Sequence, residues 1–156
     1  MDWIQKAQIT FGNILIVANK IQSKGDGLFD DLSLKQWFLL IIVSNMPETD
    51  LSINRIAEVN GTTRQNVRKM LEIMRNKGYV ELCQGKKDAR TLEVQLTNKT
   101  KEFLKANEEL GILYTRQLFE GVKEEQLDTV NNVCNKLFSN LENFRKQDDF
   151  HGKDKI

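Results

Sequence analysis

Histidine, cysteine and proline are nearly missing from this chain of 156 residues, which holds one, two and one of them respectively. Without clustered imidazoles and thiolates there is no zinc-type ligand set, and two cysteines cannot build a disulfide framework. The single histidine, His151, lies in a charged tail and reads as a tail residue, so the usual acid–base chemistry has no obvious agent. No glycine-rich phosphate loop and no nucleophile paired with a base is visible. The paired carboxylates Glu108-Glu109 and Glu124-Glu125 fit solvated helix surfaces. The expectation is a protein that is not an enzyme and needs neither cofactor nor metal. Cys83 and Cys134 read as small apolar residues.

Long apolar runs are missing too. None approaches the roughly 18 residues of a membrane span, and the amino terminus lacks a basic region followed by an apolar core. A cytoplasmic protein with no membrane partner is expected. The near absence of proline, Pro47 apart, suits a chain of long helices.

What is present is an uneven distribution of charge. The formal net charge is only +1, yet residues 55–101 carry 11 basic and 5 acidic side chains. A cationic segment of this kind attracts phosphate.

That segment has a readable order. Ser52 is a helix N-cap type, and Ile53, Ile56 and Ala57 share one side of the helix it opens. Asn60-Gly61 tolerates positive φ and ends that helix in a tight turn. Thr62 or Thr63 caps a second helix from about Arg64 to Lys77, with Val67, Met70, Leu71 and Met74 on a buried stripe and Gly78 at its close. Its other face carries Arg64, Gln65, Asn66, Arg68, Lys69 and Arg75. Arginine forks onto guanine and Gln or Asn onto adenine in the major groove, while Lys and Thr serve phosphates. A solvated surface patch gives the same pattern when the helix is taken alone.

The following residues favour DNA. Tyr79 to Cys83 and Thr91 to Leu96 alternate apolar with polar side chains around a polar turn, Gln84 to Arg90, which predicts a β-hairpin tipped with Lys86, Lys87 and Arg90. A recognition helix followed by a basic hairpin is a winged helix-turn-helix.

The hairpin motif Asp88-Ala89-Arg90 with Leu96-Thr97, after a helix ending in Lys77-Gly78-Tyr79-Val80, resembles the multiple antibiotic resistance regulator (MarR) family. Wings of that family carry an Asp-x-Arg pair, and their second strand ends in Leu-Thr. Leu32-Ser33-Leu34-Lys35-Gln36-Trp37 is similar to the family's entry into its second helix. The resemblance spans roughly Trp3 to Phe144. Two positions depart from it: Ala89 where a basic residue is common, and Thr100 where many members have Gly.

Outside this unit the chain reads as helices. Trp3 to Ile21 repeats Ile4, Ala7, Phe11, Ile14, Ala18 and Ile21 at steps of three or four, with further apolar residues on other sides, which suggests a partner subunit. Ser23 to Gly27 reads as a link. Ser33 and Gln36 form a capping box for an almost wholly apolar helix, Leu34 to Met46. Thr97 caps a long helix running to about Glu120, and Gly121 separates it from a last helix. There Leu127, Val130, Cys134, Leu137, Leu141 and Phe144 make a coiled-coil-like seam.

The expected fold is mainly α with a small β-hairpin wing: a winged helix-turn-helix at 32–97, a helical dimerisation region at 1–24 and 98–148, and a flexible tail at 149–156. The resemblance implies a homodimer on double-stranded operator DNA. Thr63, Arg64, Gln65, Asn66, Arg68 and Lys69 would meet the major groove and its phosphates. Lys86, Lys87 and Arg90 would form the wing contacts, with Asp88 orienting Arg90. It also implies a small aromatic ligand that releases DNA, for which Trp37 and Phe38 are the candidates and ordinary core packing the alternative. The cysteine near the amino terminus of peroxide-sensing members is missing, as are histidines for a zinc site. The rival reading is a helical dimer that binds a protein partner and no DNA.

Overall fold

The computed structural model describes residues 1–85 and 90–143. The chain divides into two units, Met1–Glu108 and Glu109–Ile156.

In the first unit, α1 (Trp3–Gly25) starts at a reciprocal cap in which the Asp2 carboxylate accepts the Gln5 N–H and the Gln5 side chain accepts the Asp2 N–H. It runs four residues past Ile21, through part of the expected link. Asp26 ends it by donating its N–H to the Gln22 carbonyl at 2.8 Å, and the Asp26 carboxylate accepts the Leu34 N–H at 3.0 Å. One side chain thus ties the end of α1 to the start of the next helix. That helix, α2 (Leu34–Asn45), carries the expected Ser33–Gln36 capping box and buries Leu39, Leu40 and Val43. A 3-10 turn at Glu48–Asp50 follows Pro47.

Helices α3 (Ile53–Val59) and α4 (Arg64–Asn76) form the helix-turn-helix. Both end in the same way. After α3, Gly61 at φ 63° lets the Thr62 N–H reach the Ala57 carbonyl at 3.0 Å. After α4, Gly78 at φ 78° lets the Tyr79 N–H reach the Met74 carbonyl at 2.9 Å. These bonds satisfy carbonyls that a helix end would otherwise leave unpaired, and a side chain at either glycine would strain the turn. Val67, Leu71 and Met74 of α4 meet Ile53, Ile56 and Ala57 of α3 in the core.

Strands β1 (Val80–Gln84) and β2 (Leu92–Leu96) pair antiparallel, Val80 opposite Leu96 and Gln84 opposite Leu92. The segment before α3 adds a short third edge, where the Val94 N–H donates to the Leu51 carbonyl at 2.9 Å and Ser52 bridges to Glu93. Val80 and Val94 point into the same core as α4, so the wing is anchored at its base. The wing tip residues Lys86, Lys87, Asp88 and Ala89 lie outside the described residues, as do Phe144 and His151.

After the Thr97 cap the expected single long helix is two. It breaks at Asn107 into α5 (Asn98–Ala106) and α6 (Glu108–Leu118). The Asn107 backbone N–H and side-chain amide both donate to the Phe103 carbonyl, at 3.0 and 2.9 Å.

The second unit holds most of α6 and α7 (Glu124–Glu142). The connection turns at Gly121, φ 79°, as its position in the sequence suggested. Along α7, Val130, Leu137 and Leu141 of the seam are exposed, while Leu127 and Cys134 are half-buried.

Candidate nucleic-acid interface

The outer face of α4 follows from how its inner face is spent. With Val67, Leu71 and Met74 all fully buried, helical geometry turns Gln65, Arg68, Lys69 and Glu72 the other way. Arg64, Gln65, Asn66, Arg68, Lys69 and Arg75 are all exposed. Five cations and amides from Arg64 to Lys69 are therefore exposed within less than two turns of helix.

The first turn is fixed by its threonines. Thr63 is the cap, its hydroxyl accepting the Asn66 N–H at 3.2 Å. The Asn66 amide donates in turn to the Thr62 hydroxyl, also at 3.2 Å. Thr63 and Asn66, both expected at the groove, thus also have a local structural task. Arg64 lines a small crevice with Ser52, Asn54, Thr91 and Leu92, which puts the head of α4 beside the start of α3 and the base of the wing. Arg90 is exposed at the edge of the described hairpin.

Not every cation in the reading unit is available. Arg55 on α3 donates from Nη1 to Glu58 at 2.8 Å and from Nε to Asp50 at 3.3 Å. The hydrogen bond to Glu58 is the chief reason its guanidinium is held even more firmly protonated than usual. Arg68 also has a partner that the sequence reading passed over: its Nε donates to Glu72 Oε1 at 3.1 Å. The four-residue spacing of Arg68 and Glu72 was the available signal.

Behind the reading helix lies a second cluster that sequence reasoning missed. The Tyr79 hydroxyl, on a ring only 2% exposed, donates to the Asp31 carboxylate at 2.9 Å. Lys77 and Lys99 approach the same carboxylate at 3.5 and 3.6 Å. Lys99 Nζ also sits 4.3 Å above the Tyr79 ring and donates to the Lys77 carbonyl at 2.7 Å. The tyrosine hydrogen bond, more than the lysines, holds the Asp31 carboxyl below its ordinary value. Burial, reinforced by that same bond, pushes the Tyr79 phenol up to about 12. Tyr79 completes the tie through its backbone: its carbonyl accepts from the hydroxyls of Thr97 and Thr100 at the start of α5.

Trp37 and Phe38 are parted by the structure. Trp37 is half-buried and stacks against Phe29 at 5.1 Å between ring centres, and Phe29 meets Phe103 in turn. Phe38 faces outward. A cavity of about 460 Å³ opens instead between the end of α2, β2 and α5, lined among others by Val43, Met46, Leu51 and Leu104, with Glu93 and Lys101. Neither aromatic lines it. Among the described residues no group of three His, Cys, Asp or Glu side chains is placed to hold a metal ion, and no helix is long and apolar enough to cross a membrane.

Comparison with known proteins agrees with this architecture. Residues 30–91 match the model of the MarR family. The chain is 27% identical over 117 residues to the uncharacterized HTH-type transcriptional regulator YfiV of Bacillus subtilis (strain 168), covering 75% of this chain and 72% of that one. Its fold is similar to that of a MarR/EmrR family transcriptional regulator from Acinetobacter sp. ADP1, with a TM-score of 0.78 at 20% identity over 88% of this chain and 98% of the other. It is also similar to Sco3205 of Streptomyces coelicolor, a MarR family regulator solved in complex with DNA, with a TM-score of 0.75 at 17% identity over 85% and 86% of the two chains. The family match falls on the capped entry to α2, the helix-turn-helix and the hairpin, and the likeness of fold extends beyond them: the chain has a winged helix-turn-helix fold, and its residues 30–91 are similar to the MarR family.

Proposed function

We propose that two copies of this chain bind a pseudo-palindromic operator in duplex DNA and regulate transcription from it. The observation that carries this reading is the outer face of α4, where Arg64, Gln65, Asn66, Arg68 and Lys69 are all exposed while the opposite face is fully buried. Such a helix presents forked and amide donors to base edges and cations to phosphates. Two of them, set about 34 Å apart, enter successive major grooves, and the wings follow the adjacent minor grooves. Lys86, Lys87 and Arg90 supply the wing contacts, with Asp88 orienting Arg90.

The second copy is supported by α1. Trp3, Ile4, Phe11, Ile14 and Leu15 lie within about 120° of one another around the helix, and each is exposed. A contiguous apolar stripe of that size marks an interaction surface. The dimerisation region is accordingly assigned to 1–24 and 98–148, in the terminal helices.

Release of DNA is assigned to a small aromatic ligand. The cavity beside α2, β2 and α5 has a volume suited to one, and its mixed walls set apolar side chains such as Val43, Leu51 and Leu104 beside Glu48, Glu93 and Lys101, which would orient a polar substituent. A ligand that binds one relative setting of the two reading heads shifts their spacing away from the groove repeat.

The test is binding of the purified chain to the duplex upstream of its own gene. Affinity should fall steeply with salt, and Arg68→Ala combined with Arg90→Ala should abolish operator binding while sedimentation still shows a dimer. Undiminished binding by the double variant overturns the assignment.

A further inference from the structure

We infer that Glu72 is a specificity-determining residue of the reading helix, acting through Arg68 by fixing which edge of its guanidinium faces the bases. This rests on the DNA-binding reading above.

Glu72 is the sole acid between Arg64 and Lys77. It lies among Gln65, Arg68 and Lys69 on the outward arc, where a negative charge opposes the approach of phosphate. A carboxylate at that place weakens binding to DNA in general, so its use must lie elsewhere. Its carboxylate oxygen Oε1 accepts from Arg68 Nε at 3.1 Å, and both side chains are about half exposed. In water an exposed pair of this kind contributes little. In a groove from which water is displaced, both attraction and geometry count for more.

The geometry is selective. A guanidinium presents two pairs of donors: a side edge that includes Nε, and an end edge formed by Nη1 and Nη2. A carboxylate on Nε occupies the side edge and directs the end edge away from itself. Two parallel N–H groups at that edge match the O6 and N7 acceptors of guanine. Without the carboxylate, the long side chain has other rotamers, including ones that lay the cation against a phosphate, which carries no sequence information. Glu72 therefore exchanges some affinity for every duplex against a preference for guanine at one base pair in each half-site.

The test uses the full chain and a duplex it selects from a random pool. The diagnostic base pair is the one at which Arg68→Ala relaxes the preference for guanine. The parent should favour guanine there by about tenfold or more. Glu72→Ala should bring the ratio to within about threefold of unity and tighten binding to unrelated duplexes, with the salt slope steepened. Glu72→Gln, which keeps an acceptor but no charge, should restore part of the preference. In the Arg68→Ala background, Glu72→Ala should leave the ratio unchanged. Alanine is a good helix former, so folding is preserved at this surface site.

If Glu72→Ala changes affinity for all duplexes by one factor and leaves the ratio intact, Glu72 is only a surface charge and the inference is wrong. If it lowers the ratio equally with and without Arg68, Glu72 reads a base itself and the positioning role is wrong. A parent chain that selects no sequence overturns the DNA reading as well.

Discussion

Replacing Phe11 by alanine should split the proposed dimer without unfolding the chain. Phe11 sits in the middle of the apolar stripe of α1 and is 65% exposed within its own protomer. A phenylalanine side chain offers roughly 200 Å², so about 130 Å² of it awaits a partner. At about 25 cal/mol per Å², burial of that area in the proposed interface would stabilise the dimer by about 3 kcal/mol per copy. In a two-fold symmetric pair the same residue is buried twice, giving about 6 kcal/mol. Alanine keeps a methyl group and neighbours relax into part of the gap, so a loss of about 3–6 kcal/mol is the working range. That weakens the dimer by about 10²–10⁴-fold. Sedimentation equilibrium over nanomolar to millimolar protein would measure it, with circular dichroism confirming that helix content persists. A parent dimer whose dissociation constant stays within about twofold in the variant would refute the placement of the α1 stripe in the interface.

Three further outcomes are expected. If Lys69 faces phosphate as proposed, Lys69→Ala removes one such cation from each of two subunits, so the slope of log affinity against log salt should fall by about 1.8 in magnitude, read by titration across a fourfold salt range. Thr63→Ala deletes the cap on α4, where the hydroxyl accepts the Asn66 N–H, and should cost about 1 kcal/mol, lowering the melting temperature by roughly 2–4 °C. Tyr79 is neutral in the fold up to about 12. The stability this brings is complete below the ordinary phenol value of about 10 and disappears as pH climbs to about 12, because the unfolded chain ionises first. The difference in stability between the parent and Tyr79→Phe, from urea melts, should therefore shrink between those limits and stay level from pH 6 to 9.

The parts of the fold legible in the sequence are those set by short-range chemistry. Ser33 with Gln36, Ser52, Thr63 and Thr97 each cap the helix they precede, and Gly61 and Gly78 turn where their freedom of φ was expected. Alternation fixed the two wing strands to within a residue. What escaped notice depends on long-range placement or on competition between similar energies. Asp31 and Tyr79 are 48 residues apart, and no local pattern announces their contact. The edge formed by Leu51 and Ser52 is too short to alternate. Asn107 interrupts a helix whose apolar spacing continues through it, and its backbone N–H and side-chain amide both donate to the Phe103 carbonyl. Of the reading surface, the outward residues of α4 followed from periodicity alone. The pairing of Arg68 with Glu72 had the right spacing but was hidden by taking the face as simply basic.

One acceptor, the Tyr79 carbonyl, takes hydrogen bonds from the Thr97 N–H at 3.1 Å, from the Thr97 hydroxyl at 3.0 Å and from the Thr100 hydroxyl. The foot of α4 and the head of α5 are thereby clamped into a single crank. A change in the direction of α5 at its head would therefore have to break these bonds or carry the end of α4 with it. The two residues that make this joint, Thr97 and Thr100, are not on the outward face of α4.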